Sequence, residues 1–111
     1  MTDCIFCQIA SGAFGSLIYE DDTTAAFRDI NPLARVHILI VPKEHIPCID
    51  ECGDMSLVAH MIEVARELAR KEGISESGYR LMINCREDGG QTVMHLHLHL
   101  LGGEKICWGP A

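Results

Sequence analysis

Gly89-Gly90-Gln91-Thr92-Val93-Met94-His95-Leu96-His97-Leu98-His99-Leu100-Leu101 is the stretch whose reading decides the fold. Histidines alternate with leucines through it. Period two is the signature of a strand, so the pattern predicts one over Val93 to Leu101. His95, His97 and His99 should share one face, and Leu96, Leu98 and Leu100 should face a core. Same-face neighbours on a strand stand about 6.6–7 Å apart, which puts His95 and His99 roughly 13 Å apart. One small ion can take a neighbouring pair but not all three, so the three histidines divide their roles. A His-x-His metal pair and a solvated strand face are the plainer readings. Six histidines in 111 residues, three of them alternating after a Gly-Gly-Gln turn, weigh against the solvated face.

The rest of the chain supplies partners for that strand. Val36 to Val41 is the most β-prone run and stops at Pro42. Ser16 to Tyr19 and Thr24 to Arg28 read as strands joined by the turn residues Glu20-Asp21-Asp22. Tyr79 to Asn84 reads as a further strand, and Cys85 to Gln91 as a polar loop. From Asp54 to Glu72 the apolar residues recur every three or four positions, which predicts a helix capped by Asp54 and stopped at Gly73. Cys4 to Ala10 reads as a short helix, with Thr2 or Asp3 as its cap and Gly12 as its stop. The order predicts an α+β fold: a mostly antiparallel sheet of about five strands, one long helix and a short N-terminal helix, in a single domain over residues 1–111.

The net charge of −7 argues against nonspecific nucleic-acid binding, which needs a basic footprint. It is compatible with a small anion held by backbone N–H groups and histidines. No apolar run is long enough to span a membrane, and no secretory signal precedes Cys4, so a cytoplasmic protein is expected. In that compartment the six cysteines read as thiols or metal ligands rather than disulfides.

Cys4-x-x-Cys7 has the spacing of a tetrahedral zinc knuckle, with His45 and His95 as candidates for the remaining ligands. A redox dithiol and two buried thiols are the rival readings. Asp29, after a strand and before Pro32, could hold the two hydroxyls of a ribose or simply form a turn. Asn84, at a strand end, could donate to a phosphate oxygen or likewise be a turn residue.

Together these residues resemble the histidine triad family of nucleotide hydrolases and transferases. The motif His-φ-His-φ-His-φ-φ, with φ apolar, is matched by His95 to Leu101. The likeness extends through Cys4-Ile5-Phe6-Cys7, Phe27-Arg28-Asp29-Ile30-Asn31-Pro32, His37 to Val41, Pro42-Lys43-x-His45-Ile46, Gly78-Tyr79-Arg80-Leu81, Gly89-Gly90-Gln91 and Leu101-Gly102-Gly103. It is greatest to the small Hint-type branch, the adenosine 5′-phosphoramidate hydrolases.

That resemblance implies a phosphoramidase of purine nucleotides acting through a covalent nucleotidyl-histidine. His97 would be the nucleophile, His99 a phosphate contact and His37 a support. Thr92 would help protonate the leaving amine. Asp29 would hold the ribose and Ile30 the base, while Asn84, Gly90, Gln91 and Thr92 would bind the phosphate side. It also implies one structural zinc on Cys4, Cys7, His45 and His95, an AMP-like substrate, a homodimer, and neither nucleic acid nor membrane as partner. Thr92 stands where the branch usually has serine, Met94 where tyrosine is common, and Arg35 where proline is common. Threonine is common at that position in dinucleoside polyphosphate hydrolases, which keeps that activity as an alternative. A nucleotide-binding regulatory protein with weak turnover and a metal module without nucleotide chemistry are the others.

Overall fold

The computed structural model describes residues 3–110. The elements run α1 (Ile5–Ala10), β1 (Leu17–Glu20), β2 (Thr24–Arg28), β3 (Val36–Pro42), a 3-10 turn at Ile49–Glu51, α2 (Met55–Lys71), β4 (Tyr79–Met82) and β5 (Leu98–Gly102). The strands form one five-stranded antiparallel sheet in the order β1-β2-β3-β5-β4. The α+β architecture read from the sequence is the one observed.

β3 is central and its residues after Val36 are buried, which explains its unbroken apolar run. Alternation along it separates two layers. Ile38 and Ile40 pack with Leu96, Leu98, Leu100 and the buried stripe of α2, among them Met61, Ala65 and Leu68. Leu39 and Val41 face the other way, into a smaller cluster with Phe6, Ala10, Ala25 and Phe27. His37 shares the parity of Leu39. The second face, roofed by α1, therefore carries the polar chemistry.

The caps follow ordinary helix chemistry with one exception. The Asp54 carboxylate accepts from the Ser56 N–H at 3.0 Å, and Gly73, at φ +75°, turns the chain out of α2. At α1 the cap is neither Thr2, which lies outside the described residues, nor Asp3. It is the Cys4 sulfur, which accepts from the Cys7 N–H at 3.4 Å. The β1–β2 turn is held by Asp21, whose carboxylate accepts from the Thr23 and Thr24 N–H groups, both at 2.9 Å.

The histidine strand is shorter than its alternation predicts. Pairing of β5 with β3 runs from Val36↔Gly102 to Ile40↔Leu98 and stops. The next rung would place Leu96 opposite Pro42, which has no N–H to donate. Leu96 N–H donates instead to the Ile46 carbonyl at 2.7 Å. Only His99 of the three histidines lies on the strand, and His95 and His97 sit on an irregular approach to it. β4 also ends early, at Met82, so Asn84 lies in the loop beyond the sheet.

Candidate active site and metal centre

Two clefts of about 360 Å³ and about 310 Å³ open on the α1 side of the sheet. Both are lined by Asp29, Asn31, Thr92, His97 and His99. The first adds the apolar walls Ile5, Phe6, Ile9, Phe27, Ile30, Leu39 and Val93. The second adds His37, Asn84 and Gly90. A slightly larger cleft, about 440 Å³, lies near the start of α2, has Asp22, Glu44, Glu51 and Asp54 in its wall and no histidine.

The hydrogen bonds fix the protonation pattern of the histidines. The His97 Nδ1 lies 2.7 Å from the His95 carbonyl, which can only accept. Nδ1 therefore carries the proton, and Nε2 keeps its lone pair. The Leu33 N–H donates to His37 Nδ1 at 3.1 Å, so the His37 proton is on Nε2. That Nε2 lies 2.9 Å from His99 Nδ1 and donates to it. His99 then carries its own proton on Nε2, which is the buried polar side-chain atom without a partner among the described residues. One histidine thus offers a lone pair and its neighbour an unspent N–H, with ring centroids 4.9 Å apart.

Burial keeps all of these rings neutral. It holds His97 below the ordinary imidazole range, with the His95 carbonyl pulling the other way. His37 is lowered by burial against the pull of Asp29. His99 is pushed down to about 4 by burial, with His97 and His37 adding to it. An unfolded histidine titrates near its ordinary value, so below it the unfolded chain binds more protons than the folded one. Stability is therefore complete above about pH 6.5 and is lost as pH falls towards 4. For His99 alone the loss by pH 4 is roughly 3 kcal/mol. Melting temperatures of metal-free protein between pH 7.5 and 4 should fall accordingly, and His99→Asn should flatten the curve. A wild-type curve that is level across that range would contradict this account.

Asp29 is fixed by two neighbours at the edge of the clefts. Its Oδ1 accepts from the Asn31 N–H at 2.8 Å, and its Oδ2 lies 3.5 Å from His37 Nε2 and lines both clefts. Asp29, His37 and His99 also lie close enough together to suggest an ion site. The tautomers argue against one, because the His37 and His99 nitrogens that face each other are already joined by a proton.

Gln91 is held on all sides. Its amide N–H groups donate to the carbonyls of Pro47 and Val93 at 2.7 and 2.9 Å, and its Oε1 accepts from the Arg86 N–H at 2.7 Å. Its own backbone N–H is given to Arg86 O. Gln91 is 6% exposed and its side-chain donors are committed, so it braces the loop. The loop it braces is tight: a Cβ on Gly89 would sit 2.5 Å from the Cys85 carbonyl oxygen. Residues 85–91 thus carry Gly90 and Thr92 to the clefts on a fixed turn.

Cys4, Cys7, His45 and His95 converge at the start of α1, with their ligand atoms within 4.8 Å of one another. His95 Nε2 donates to the Pro42 carbonyl at 2.8 Å, which leaves Nδ1 as the acceptor. That Nδ1 lies 3.3 Å from Cys4 Sγ and 3.4 Å from Cys7 Sγ, and His45 Nδ1 lies 3.3 Å from Cys7 Sγ. A tetrahedral metal with sulfur at about 2.3 Å and nitrogen at about 2.0 Å sets them roughly 3.5 Å apart. Donor types, spacing and the outer carbonyl that orients His95 all fit such an ion.

Sequence reasoning missed Phe6 and the braces of the loop. Phe6 packs edge-on against His97, with centroids 5.1 Å apart, and against Phe27 at 5.3 Å. The only sequence signal for it is its place between the two cysteines, where a residue must point away from the sulfurs.

Comparison with known proteins agrees with the fold. The E. coli K12 purine nucleoside phosphoramidase is 46% identical over 96 residues, covering 85% of this chain and 79% of that protein. A HIT family hydrolase from Legionella pneumophila superposes with a TM-score of 0.91 at 46% identity, covering 98% of this chain and all of that one. A Zn-bound histidine triad family protein from Mycobacterium smegmatis does so with a TM-score of 0.80 at 34% identity, covering 90% of this chain and 74% of the other. The model of the HIT domain matches residues 13–106, and the chain belongs to that family.

Proposed function

We propose that the protein hydrolyses purine nucleoside 5′-phosphoramidates to the nucleoside monophosphate and an amine. The observation that carries this reading is the pairing of an unprotonated His97 Nε2 with an unpartnered His99 Nε2–H in one cleft. The His97 lone pair attacks the α-phosphorus and the bond from phosphorus to the amine nitrogen breaks. His99 donates to a phosphate oxygen as charge gathers there, and the His37 proton holds the His99 ring in the required tautomer. The departing nitrogen takes a proton from solvent, relayed through the Thr92 hydroxyl, and the water that later cleaves the intermediate returns one to solvent. Water then cleaves the nucleotidyl-His97 bond, AMP leaves, and the ring returns to its starting state.

Asp29 takes the ribose hydroxyls, and the apolar wall from Ile5 to Ile30 takes the base. Asn84 and Gly90 serve the phosphate side. The group of Cys4, Cys7, His45 and His95 holds zinc, a closed ligand set that supplies structure rather than a reacting water. Two copies pair along β4, which lies at one end of the sheet.

Thr92 lines both clefts and favours a second reading, dinucleoside polyphosphate hydrolysis. Comparing kcat/KM for an adenosine 5′-phosphoramidate and a diadenosine polyphosphate decides between them. The first should exceed the second by about tenfold or more. The reverse ratio would establish the alternative, and turnover of neither would reject both.

A further inference from the structure

Three short paths, each a few residues of chain completed by a hydrogen bond or a ring contact, run from the metal centre to the nucleotide cleft. The first is within one residue: the His95 ring turns its Nδ1 to the cysteines, while the carbonyl of the same residue accepts the His97 Nδ1–H at 2.7 Å. The second is α1. Cys4 and Cys7 bracket Phe6, whose ring lies against His97 at 5.1 Å and His95 at 6.1 Å and lines the apolar wall with Ile5 and Ile9. The third leaves His45. The Ile46 carbonyl accepts from Leu96 N–H at 2.7 Å, and the Pro47 carbonyl accepts the Gln91 amide, also at 2.7 Å. The backbone just before His97 and the loop leading to Thr92 are thus tied to the two residues that follow a metal ligand.

We propose that His95 and Phe6 are positioning residues through which a metal on Cys4, Cys7, His45 and His95 sets the His97 ring and the pocket wall, so that metal and nucleotide bind cooperatively. This deepens the preceding assignment and rests on it for the identity of the nucleotide. β3 and β5 hold one side of the cleft by sheet hydrogen bonds. The α1 side is held by a six-residue helix, which is too short to be stable alone. Fixing both cysteines and both histidines to one ion orders that side before the ligand arrives. Linkage then requires that each ligand strengthen the other by the same factor.

The test uses zinc and AMP on the full chain. AMP affinity is measured by calorimetry with zinc bound and after chelation, and zinc affinity by chelator competition with and without AMP. Both ratios should be equal and about tenfold. The nitrogen NMR shifts of the His97 ring should report a single tautomer with zinc and a mixture without it. Equal AMP affinities together with an unchanged His97 spectrum overturn the proposal. An AMP that binds neither form, with a His97 spectrum that still responds to zinc, removes the nucleotide assignment and leaves the positioning intact. If the metal-free chain melts, the zinc-loaded Phe6→Leu variant serves instead. It should keep zinc while AMP raises its zinc affinity less than threefold, and a full tenfold effect there overturns the role of Phe6.

Discussion

Replacing His97 with alanine should lower turnover of an adenosine 5′-phosphoramidate by about 10⁴-fold or more, with little change in AMP affinity. The reason lies in how narrowly the lone pair is prepared. His97 is 6% exposed, its proton is committed to a carbonyl, and Phe6 limits the swing of its ring. No other side chain lining the clefts offers an unprotonated nitrogen: His99 presents an N–H there, and the lone pair of His37 is taken by Leu33. His99→Asn should cost less, about 10² to 10³-fold, because it removes one donor to the transition state and not the nucleophile. Rapid quenching at alkaline pH should trap a nucleotidylated wild-type protein and none from the His97 variant. Comparable turnover by wild type and His97→Ala would dismiss the covalent mechanism.

Loss of the metal should be the largest change in stability. Purified protein should carry about one equivalent of zinc, and Cys4→Ser should carry almost none. With zinc about 1,000-fold above its dissociation constant, the ion adds about 4 kcal/mol, and removing it should lower Tm by roughly 15 °C. The Cys4 sulfur also caps α1, so the same substitution loosens the helix start. His45→Asn separates the two effects, since His45 is exposed and belongs to no helix or strand. It should lose much of the metal-dependent stability while keeping the cap. A native protein that melts at the same temperature with and without chelator would refute the site.

The sequence carried the fold well where periodicity reports burial. The alternation in β3 and β5 and the three-four spacing of α2 each describe a face against a core, and each face is where the pattern puts it. Periodicity failed at His95 and His97 because the same in-out pattern continues after pairing stops. What ends the pairing is an imino acid on another strand, which a local pattern cannot register. The site was partly legible for a similar reason. Asp29, Asn84, Thr92, His37, His97 and His99 carry chemistry in their identity, and they do line the clefts. Gln91 has the identity of a ligand and the surroundings of a brace, and only the carbonyls of Pro47 and Val93 reveal that. Phe6 has no chemical signature at all.

The Pro42 carbonyl holds the His95 ring, and His45, three residues further on, must reach the same point from the other side. Surface loops usually absorb insertions and deletions freely. Here the chain between Pro42 and His45 acts as a ruler with both ends nailed down. One added residue lengthens it by up to about 3.5 Å, more than the entire 3.3 Å gap between His45 Nδ1 and Cys7 Sγ. Length variation among natural or designed variants of this chain should therefore collect elsewhere, as in the exposed Ser11–Ser16 turn, and avoid this short connection.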